Sequence, residues 1–334
     1  MSQVPASLPR AHEAVDWVLL TPEHSAEMLE LVNALEEKDR ALFRTSLTEV
    51  EGMLDRPGVA EVIGGYSKDC GESRLVAFGY VGLARSGLPQ AMCHGGVHPD
   101  CRKRGIGEAL LQWQTTQGKS LLREAFPDQE GSIVHAVDAT RSRFHAHLEA
   151  LGYGWSHSFA ELRRESCGEL EEAELPRFVE VVPWTEGWDG PARRAFNLAS
   201  KQSGHVEQLS MEAWLELHGK MDRDLSFLAV DRSTDRAKVV GLIEVGLYPD
   251  DWEVLGWKEG YIDTVAVFDP SMRESVRLAL LRQVAQALCD ANIEKVAVGI
   301  DPQGDPDMMS FYSSLGFRPH VWWRHYALPV QPVA

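Results

Sequence analysis

The strongest constraint on the fold of this chain is a repeat whose period is near half of its 334 residues. LEALGY at Leu148–Tyr153 is matched by YSSLGF at Tyr312–Phe317, each shortly after an apolar strand pattern. The interval from Val97 to the pair Leu110–Leu111 equals that from Val267 to Leu280–Leu281. A period this long means two like domains rather than a solenoid of short repeats. The length alone already exceeds one ordinary hydrophobic core.

The two halves also share an order of elements, read from where the apolar period changes between two and 3.6. In the first half, strands are predicted at Trp17–Leu20, Ala60–Ile63, Leu75–Val81, Ala91–Val97, Ile133–Val137 and His157–Leu162. Helices are predicted at Ala26–Leu35, Leu47–Leu54, Ile106–Leu122 and Ser142–Leu151, the last stopped by Gly152 as a C-cap. In the second half, strands fall at Phe178–Val182, Phe227–Val230, Val239–Val245, Tyr261–Val267, Val296–Ile300 and Val321–Ala327. The helices between them are Ala192–Ala199, Met211–Met221, Val276–Leu288 and Met308–Leu315. Between the halves, Cys167–Arg177 is acidic, has no strand alternation and carries a proline, which marks a linker. The expected division is therefore residues 1–166, a linker at 167–177, and residues 178–334.

Composition narrows the function classes. A formal net charge of −17 disfavours nucleic acid and anionic membranes as partners and suits a cationic substrate such as an amine. No apolar run approaches the ~20 residues that span a bilayer, and no signal-peptide layout opens the chain, so a cytoplasmic location is expected. Cys70, Cys93, Cys101, Cys167 and Cys289 form no CxxC pair. They read as free thiols, with neither a disulfide framework nor a metal site indicated.

The chemistry concentrates in GGVHPDCRKRGIGEALL, Gly95–Leu111, a strand end, a short turn and a helix start. Arg102, Gly105 and Gly107 make an R-x-x-G-x-G pattern. The glycines let backbone approach a bulky anion without a Cβ in the way. The first helical turn supplies unpaired N–H groups and the positive end of the dipole. Arg102, Lys103 and Arg104 add local positive charge, and the whole forms a cradle for phosphate. It is neither a Walker A loop nor the dinucleotide G-x-G-x-x-G.

The string from Val97 to Leu111 resembles the acetyl-CoA signature of the GNAT superfamily of N-acetyltransferases, and LEALGY and YSSLGF resemble that family's later helix-to-strand motif. The resemblance covers both halves, so the chain looks like a tandem GNAT protein. It implies an α/β (α+β) fold of two GNAT-type domains, each a mixed, mostly antiparallel sheet that splays between its fourth and fifth strands and is flanked by helices. Acetyl-CoA is then the implied co-substrate, with no metal. Its pantetheine arm and acyl carbonyl would lie against backbone at Gly95 and Val97. Its pyrophosphate would meet the amides of Arg102, Lys103, Arg104, Gly105, Ile106, Gly107 and Glu108. The implied reaction is direct attack of a neutral amine of a small molecule on the thioester carbonyl, with a base taking the ammonium proton.

The two halves depart from that pattern differently. In VFDPSMRESVRLALL, Val267–Leu281, Met272 stands at the arginine position and Ser275 and Arg277 at the glycine positions. Those side chains oppose close approach of a pyrophosphate. Many GNAT members carry an acid tyrosine five residues before the last aromatic of the later motif. Here that residue is Tyr312 in the second half and Leu148 in the first. Candidate acids and bases are accordingly His94, on the strand beside the acyl site, His145, one helical turn before Leu148, and Tyr312. His98 and Cys93 are weaker candidates, and Asp263, at the position of Cys93, reads as structural. Trp252, Trp257, Trp322 and Trp323 read first as packing residues and second as the lining of an acceptor groove. Two functions remain open at this level, an N-acetyltransferase and a non-catalytic acyl-CoA-binding protein that has kept only the fold.

Overall fold

The computed structural model describes residues 8–68, 74–84, 88–202, 208–304 and 306–332. The chain divides into two compact units. The first comprises residues 1–158 together with 323–334, and the second residues 159–322.

The first unit begins with β1 (Val15–Leu19), α1 (Ser25–Asp39), α2 (Leu47–Leu54), β2 (Ala60–Ser67), β3 (Leu75–Leu83) and β4 (Gln90–Val97). It continues with α3 (Ile106–Ala125), β5 (Gly131–Asp138) and α4 (Ser142–Ala150), and reaches into β6 (Gly154–Glu165). β1 to β4 form an antiparallel meander, and β4 then pairs parallel to β5 with α3 as the crossover. The local chemistry explains several boundaries. Ser46 caps α2 by accepting from the Glu49 amide, and the Glu49 carboxylate accepts from the Ser46 amide in return, a reciprocal capping box. α3 buries Ile106, Leu110, Leu111, Trp113, Leu121 and Leu122 on one side, against Val76, Val81 and Ile133 of the sheet. Each such side chain contributes roughly 1.5–3 kcal/mol when fully buried. A second cluster packs α1 and α2, through Met28, Leu31, Val32 and Val50, on the sheet's other side at Val62, Leu75, Phe78 and Tyr80.

The second unit contains the rest of β6, then β7 (Val179–Pro183), α5 (Asp189–Gln202), α6 (Met211–Leu217), β8 (Phe227–Asp231) and β9 (Lys238–Leu247). After these come α7 (Pro249–Leu255), β10 (Glu259–Val267), α8 (Arg273–Asp290), β11 (Lys295–Ile300), α9 (Pro306–Ser314) and only the start of β12 (Arg318–Val330), as far as Trp322. Its strands run in the order β6-β11-β10-β9-β8-β7, with β10 and β11 the parallel pair. Its core sets Val276, Leu280, Leu281, Val284 and Leu288 of α8 against Val245, Ile262 and Val298. The fold class is thus the one expected, α/β, each unit having mixed and mostly antiparallel strands flanked by helices.

Three expectations need correction. The chain does not part at 167–177. Trp323–Val330 of β12 pairs antiparallel with β5 and belongs to the first unit, where Tyr326 and Val330 join the core. The Ala160–Glu165 part of β6 pairs with β11 in the second. Strand period tells which face of a strand is buried, but not which sheet the strand joins. Secondly, two of the five cysteines are not free. Cys167 and Cys289 form a disulfide inside the second unit, with Cα atoms 4.9 Å apart and a sequence separation of 122. Cys93 and Cys101 are free thiols, and Cys70 lies outside the described residues. Thirdly, no helix is among those expected between Val245 and Tyr261, and the structure has one there, α7. Pro249 opens it, Asp250 and Asp251 favour its positive end, and Gly256 ends it at φ 81°. No helix among the described residues is long and apolar enough to cross a membrane.

Candidate functional site

The split between β4 and β5 is the first element of the site. Their parallel pairing runs from Gln90↔Ser132 to Cys93↔His135 and stops there, while β4 stays paired to β3 as far as Val97. From His94 to Val97 the β5-facing edge of β4 therefore has no strand alongside it. Gly95 lies at this opening with φ 154°, and a Cβ there would sit 2.6 Å from the Phe78 carbonyl oxygen. Only glycine fits that close approach of β3 to β4. Gln114 of α3 fixes the same point, its amide nitrogen donating to the carbonyls of His94 (2.6 Å) and Tyr80 (3.1 Å).

The turn after β4 is the second. Pro99–Cys101 makes one 3₁₀ turn, and Arg102 closes it with its amide onto the Pro99 carbonyl (3.4 Å). Lys103 follows at φ 64° and Gly105 at φ 82°. Two left-handed residues so close together fold the backbone into a concave turn at the start of α3. The first i→i−4 bond of α3 runs from Ala109 to Gly105, so Ile106, Gly107 and Glu108 present first-turn amides. A Cβ on Gly107 would have only Val97 Cγ2 nearby, at 3.8 Å, so the space beside that residue is open. The Ile106 side chain is in the core, leaving only its backbone to the turn. Glu108 is exposed and accepts from Gln112 at 3.3 Å.

Arg102 has a different part from the one its charge suggested. Arg102 donates from Nε to the Val97 carbonyl (3.0 Å) and from its two terminal nitrogens to Asp39 (2.7 and 2.9 Å). Arg141 adds a third contact to Asp39 at 3.0 Å. Burial alone would raise the Asp39 pKa; the bonds and charges of the two arginines outweigh it and hold the carboxyl below its ordinary value. Arg102 is thus a strut tying α1, β4 and the turn together, and its amide is already used. Lys103 and Arg104 are exposed on the turn.

His94 is solvent-accessible although protein crowds it closely, the situation of a side chain lining a cleft. That crowding lowers its pKa below the ordinary imidazole value. Sequence reasoning missed its neighbour His135, at the last paired position of β5. Burial, followed by the charge of His94, takes the His135 pKa down to about 3, so this ring is neutral. His145 is buried on α4, with Nε2 3.1 Å from the Asp138 carbonyl and its ring on Tyr326. It anchors α4 to the end of β5. His98 caps the 3₁₀ turn by accepting from the Asp100 amide, and Cys93 is buried with its thiol pKa pushed upward by burial.

The second unit repeats the split but not the cradle. β10 and β11 part after Ile262↔Val298, and a bulge in β10 falls at Asp263. Counted from the end of the pairing, Asp263 corresponds to His94 rather than to Cys93. It too is accessible yet crowded; burial first, with Glu244 adding to it, raises its pKa to about 6 against a bond from Tyr248 (2.9 Å). At the glycine position of α8, Arg277 places its guanidinium 5.2 Å from the Phe311 ring centre and donates to Met308 Sδ at 3.0 Å. It therefore reaches from α8 to α9. Tyr312 is fully buried, its hydroxyl has no partner among the described residues, and burial pushes its pKa up to about 12. Trp252 and Trp257 both bond to Glu259, whereas Trp323 packs on Phe43 in the first unit. Among the described residues no group of three His, Cys, Asp or Glu is placed to hold a metal.

No family model matches the chain, and no curated protein does either. Solved structures do. A GCN5-related N-acetyltransferase from Sphaerobacter thermophilus superposes with a TM-score of 0.72 at 20% identity, covering 98% of this chain and 98% of that one. A tandem GNAT protein from the clavulanic acid biosynthesis pathway gives 0.67 at 17% identity, covering 96% of this chain and 100% of that one. The fold is that of the GNAT N-acetyltransferases. N-myristoyltransferase of Saccharomyces cerevisiae, solved with bound myristoyl-CoA and inhibitors, is similar over 98% of this chain and 83% of its own, with a TM-score of 0.59 at 14% identity. Two copies of that fold account for the half-chain repeat and for two parallel strand pairs that each open partway along.

Proposed function

We propose that the chain is an acyl-CoA-dependent N-acetyltransferase whose first unit holds acetyl-CoA and transfers its acetyl group to a primary amine of a small molecule. The observation that carries this reading is the concave turn from Lys103 to Gly105, running into the bare first turn of α3 beside the open edge of β4. The amides of Gly105, Ile106, Gly107 and Glu108 would receive the pyrophosphate, with Lys103 and Arg104 supplying charge around it. The β4 edge at Gly95–Val97 would take the pantetheine arm.

His94 is the base of this reading. A ring whose pKa lies below the ordinary value is neutral at pH 7 and able to accept a proton. The amine nitrogen bonds to the thioester carbonyl carbon, the C–S bond breaks, and the ammonium proton passes to His94. The thiolate takes its proton from solvent, since Leu148 offers none and an ordinary thiol pKa of about 8.5 makes thiolate a fair leaving group. In the second unit, Arg277 lies across the α8–α9 gap where a pantetheine arm would enter. We therefore assign no CoA to that unit and no acid role to Tyr312.

A binding-only protein is the second reading, favoured by Leu148 and by the bond that occupies His145. Titrating acetyl-CoA by calorimetry and following CoA release over an amine panel separates the two. One acetyl-CoA per chain, lost in Gly107→Trp, with amine-dependent release, supports the transferase. Tight binding without release on any amine sinks it. Replacing acetyl-CoA by longer acyl-CoAs in the same assay tests the acyl chain.

A further inference from the structure

Beside Gly105, in the concave turn of the first unit, stands a side chain from a distant part of the sequence. Apart from its chain neighbours, a Cβ on Gly105 would meet one atom of the described residues within 4 Å, the Nε2 of His12, at 3.3 Å. His12 precedes β1, and its backbone is tied to the end of β2. The Lys68 ammonium donates to the His12 carbonyl (3.0 Å) and pairs with Asp16 (3.0 Å), while the Lys68 amide donates to the Ala14 carbonyl (3.1 Å). Ala14 and Val15, next along the chain, are buried in the same cluster as Ile106, the first residue of α3. Packing and Lys68 together hold this stretch against the turn.

The ring has a defined tautomer as well as a defined place. Its Nδ1 is 3.1 Å from the Ala14 amide. That amide can only donate, so Nδ1 accepts and the neutral ring carries its proton on Nε2. The Nε2 group has no hydrogen-bond partner among the described residues, and it is not shut away from solvent. It is thus a spare donor beside a turn whose backbone at Ile106, Gly107 and Glu108 offers first-turn amides.

We propose that His12 is a phosphate-binding residue of the first unit, donating from Nε2 to the pyrophosphate of acetyl-CoA at the Gly105 end of the turn. The inference rests on the assignment of acetyl-CoA to that turn. It adds a side-chain donor to a row of backbone donors, and it makes the stretch before β1 one wall of the cofactor site. A bond of this kind, to an ionised acceptor, is stronger than one between neutral groups.

Calorimetry of acetyl-CoA binding to the whole chain tests it with three substitutions. His12→Ala should weaken binding about tenfold, the loss of one hydrogen bond to a charged group. His12→Gln carries an amide donor at about the reach of Nε2 and should bind within about threefold of the parent. His12→Asn is shorter; it can still accept from the Ala14 amide but should bind as weakly as His12→Ala. Without ligand all three should unfold at temperatures close to the parent's. CoA and dephospho-CoA, which differ only in the 3′-phosphate, should lose the same factor in His12→Ala. Parent-like affinity in His12→Ala would overturn the proposal, as would a His12→Gln no better than His12→Ala. Full affinity in His12→Asn would do the same, leaving His12 only a cap for Ala14. A loss seen with CoA and absent with dephospho-CoA would move the contact to the 3′-phosphate and overturn the assignment to the pyrophosphate. If the parent binds no acetyl-CoA, or binds it undiminished with Gly107→Trp, the cofactor turn itself fails, and His12 with it.

Discussion

His94 and Asp263 occupy equivalent places at the two splits, yet burial pushes them in opposite senses because one is charged when protonated and the other when deprotonated. For His94 the consequence is kinetic. The acid limb of kcat/KM should lie below pH 6.5, and His94→Ala should cost about a hundredfold or more; a limb at or above 6.5, or an unaffected rate, would remove it as the base. For Asp263 the consequence is thermodynamic. An ordinary aspartate in the unfolded chain gives up its proton near pH 3.9, whereas the folded one holds it to about 6. The folded state thus binds more protons in that window, and stability should fall as pH rises from about 4 to about 6. Asp263→Asn should flatten that slope and stabilise the protein by about 1 kcal/mol at pH 7.5, a figure reduced for the exposure of the side chain. Urea denaturation at a series of pH values reads both effects. Neither behaviour was legible in the sequence, since the crowding of each side chain comes from where two strands stop pairing.

At the scale of elements, sequence carried most of what is needed to find the cradle and little of what braces it. Gly105, Gly107 and the amphipathic stretch from Ile106 sit within one contiguous motif, so local reasoning reached them. Asp39 lies 63 residues before Arg102, and nothing in the sequence links the two. Charge counting therefore assigned the arginine to the ligand rather than to α1. The end of α8 has the same lesson. Cys289 in its last turn and Cys167 after β6 are scattered in sequence and bonded in space. A bridge closing a loop of this size restricts the unfolded chain strongly, and Cys289→Ser should cost about 3–5 kcal/mol. Denaturation of the parent with and without reductant should reproduce the same loss; equal midpoints would mean that the bridge does not hold the second unit.

For the whole molecule, the exchange of the last strand decides which fragments can stand alone. Residues 159–322 are contiguous and hold a complete core, so this fragment should unfold cooperatively on its own. Residues 1–166, the domain that periodicity suggests, lack the strand that covers β5 and leave it as an open apolar edge. That fragment should aggregate, and joining residues 323–334 to it through a short linker should restore a soluble, folded unit. Light scattering and circular dichroism of the two versions check this, and a well-folded 1–166 would refute it. The same strand also imposes an order on biosynthesis. The first unit to be translated is the last that can be finished, because its final strand follows some 170 residues later. At translation rates of about 5–20 residues per second, this is a wait of roughly 10–30 s. Until then β5 stays uncovered on the growing chain, while the second unit, later in sequence, already has every part of its core except the stretch still inside the ribosome.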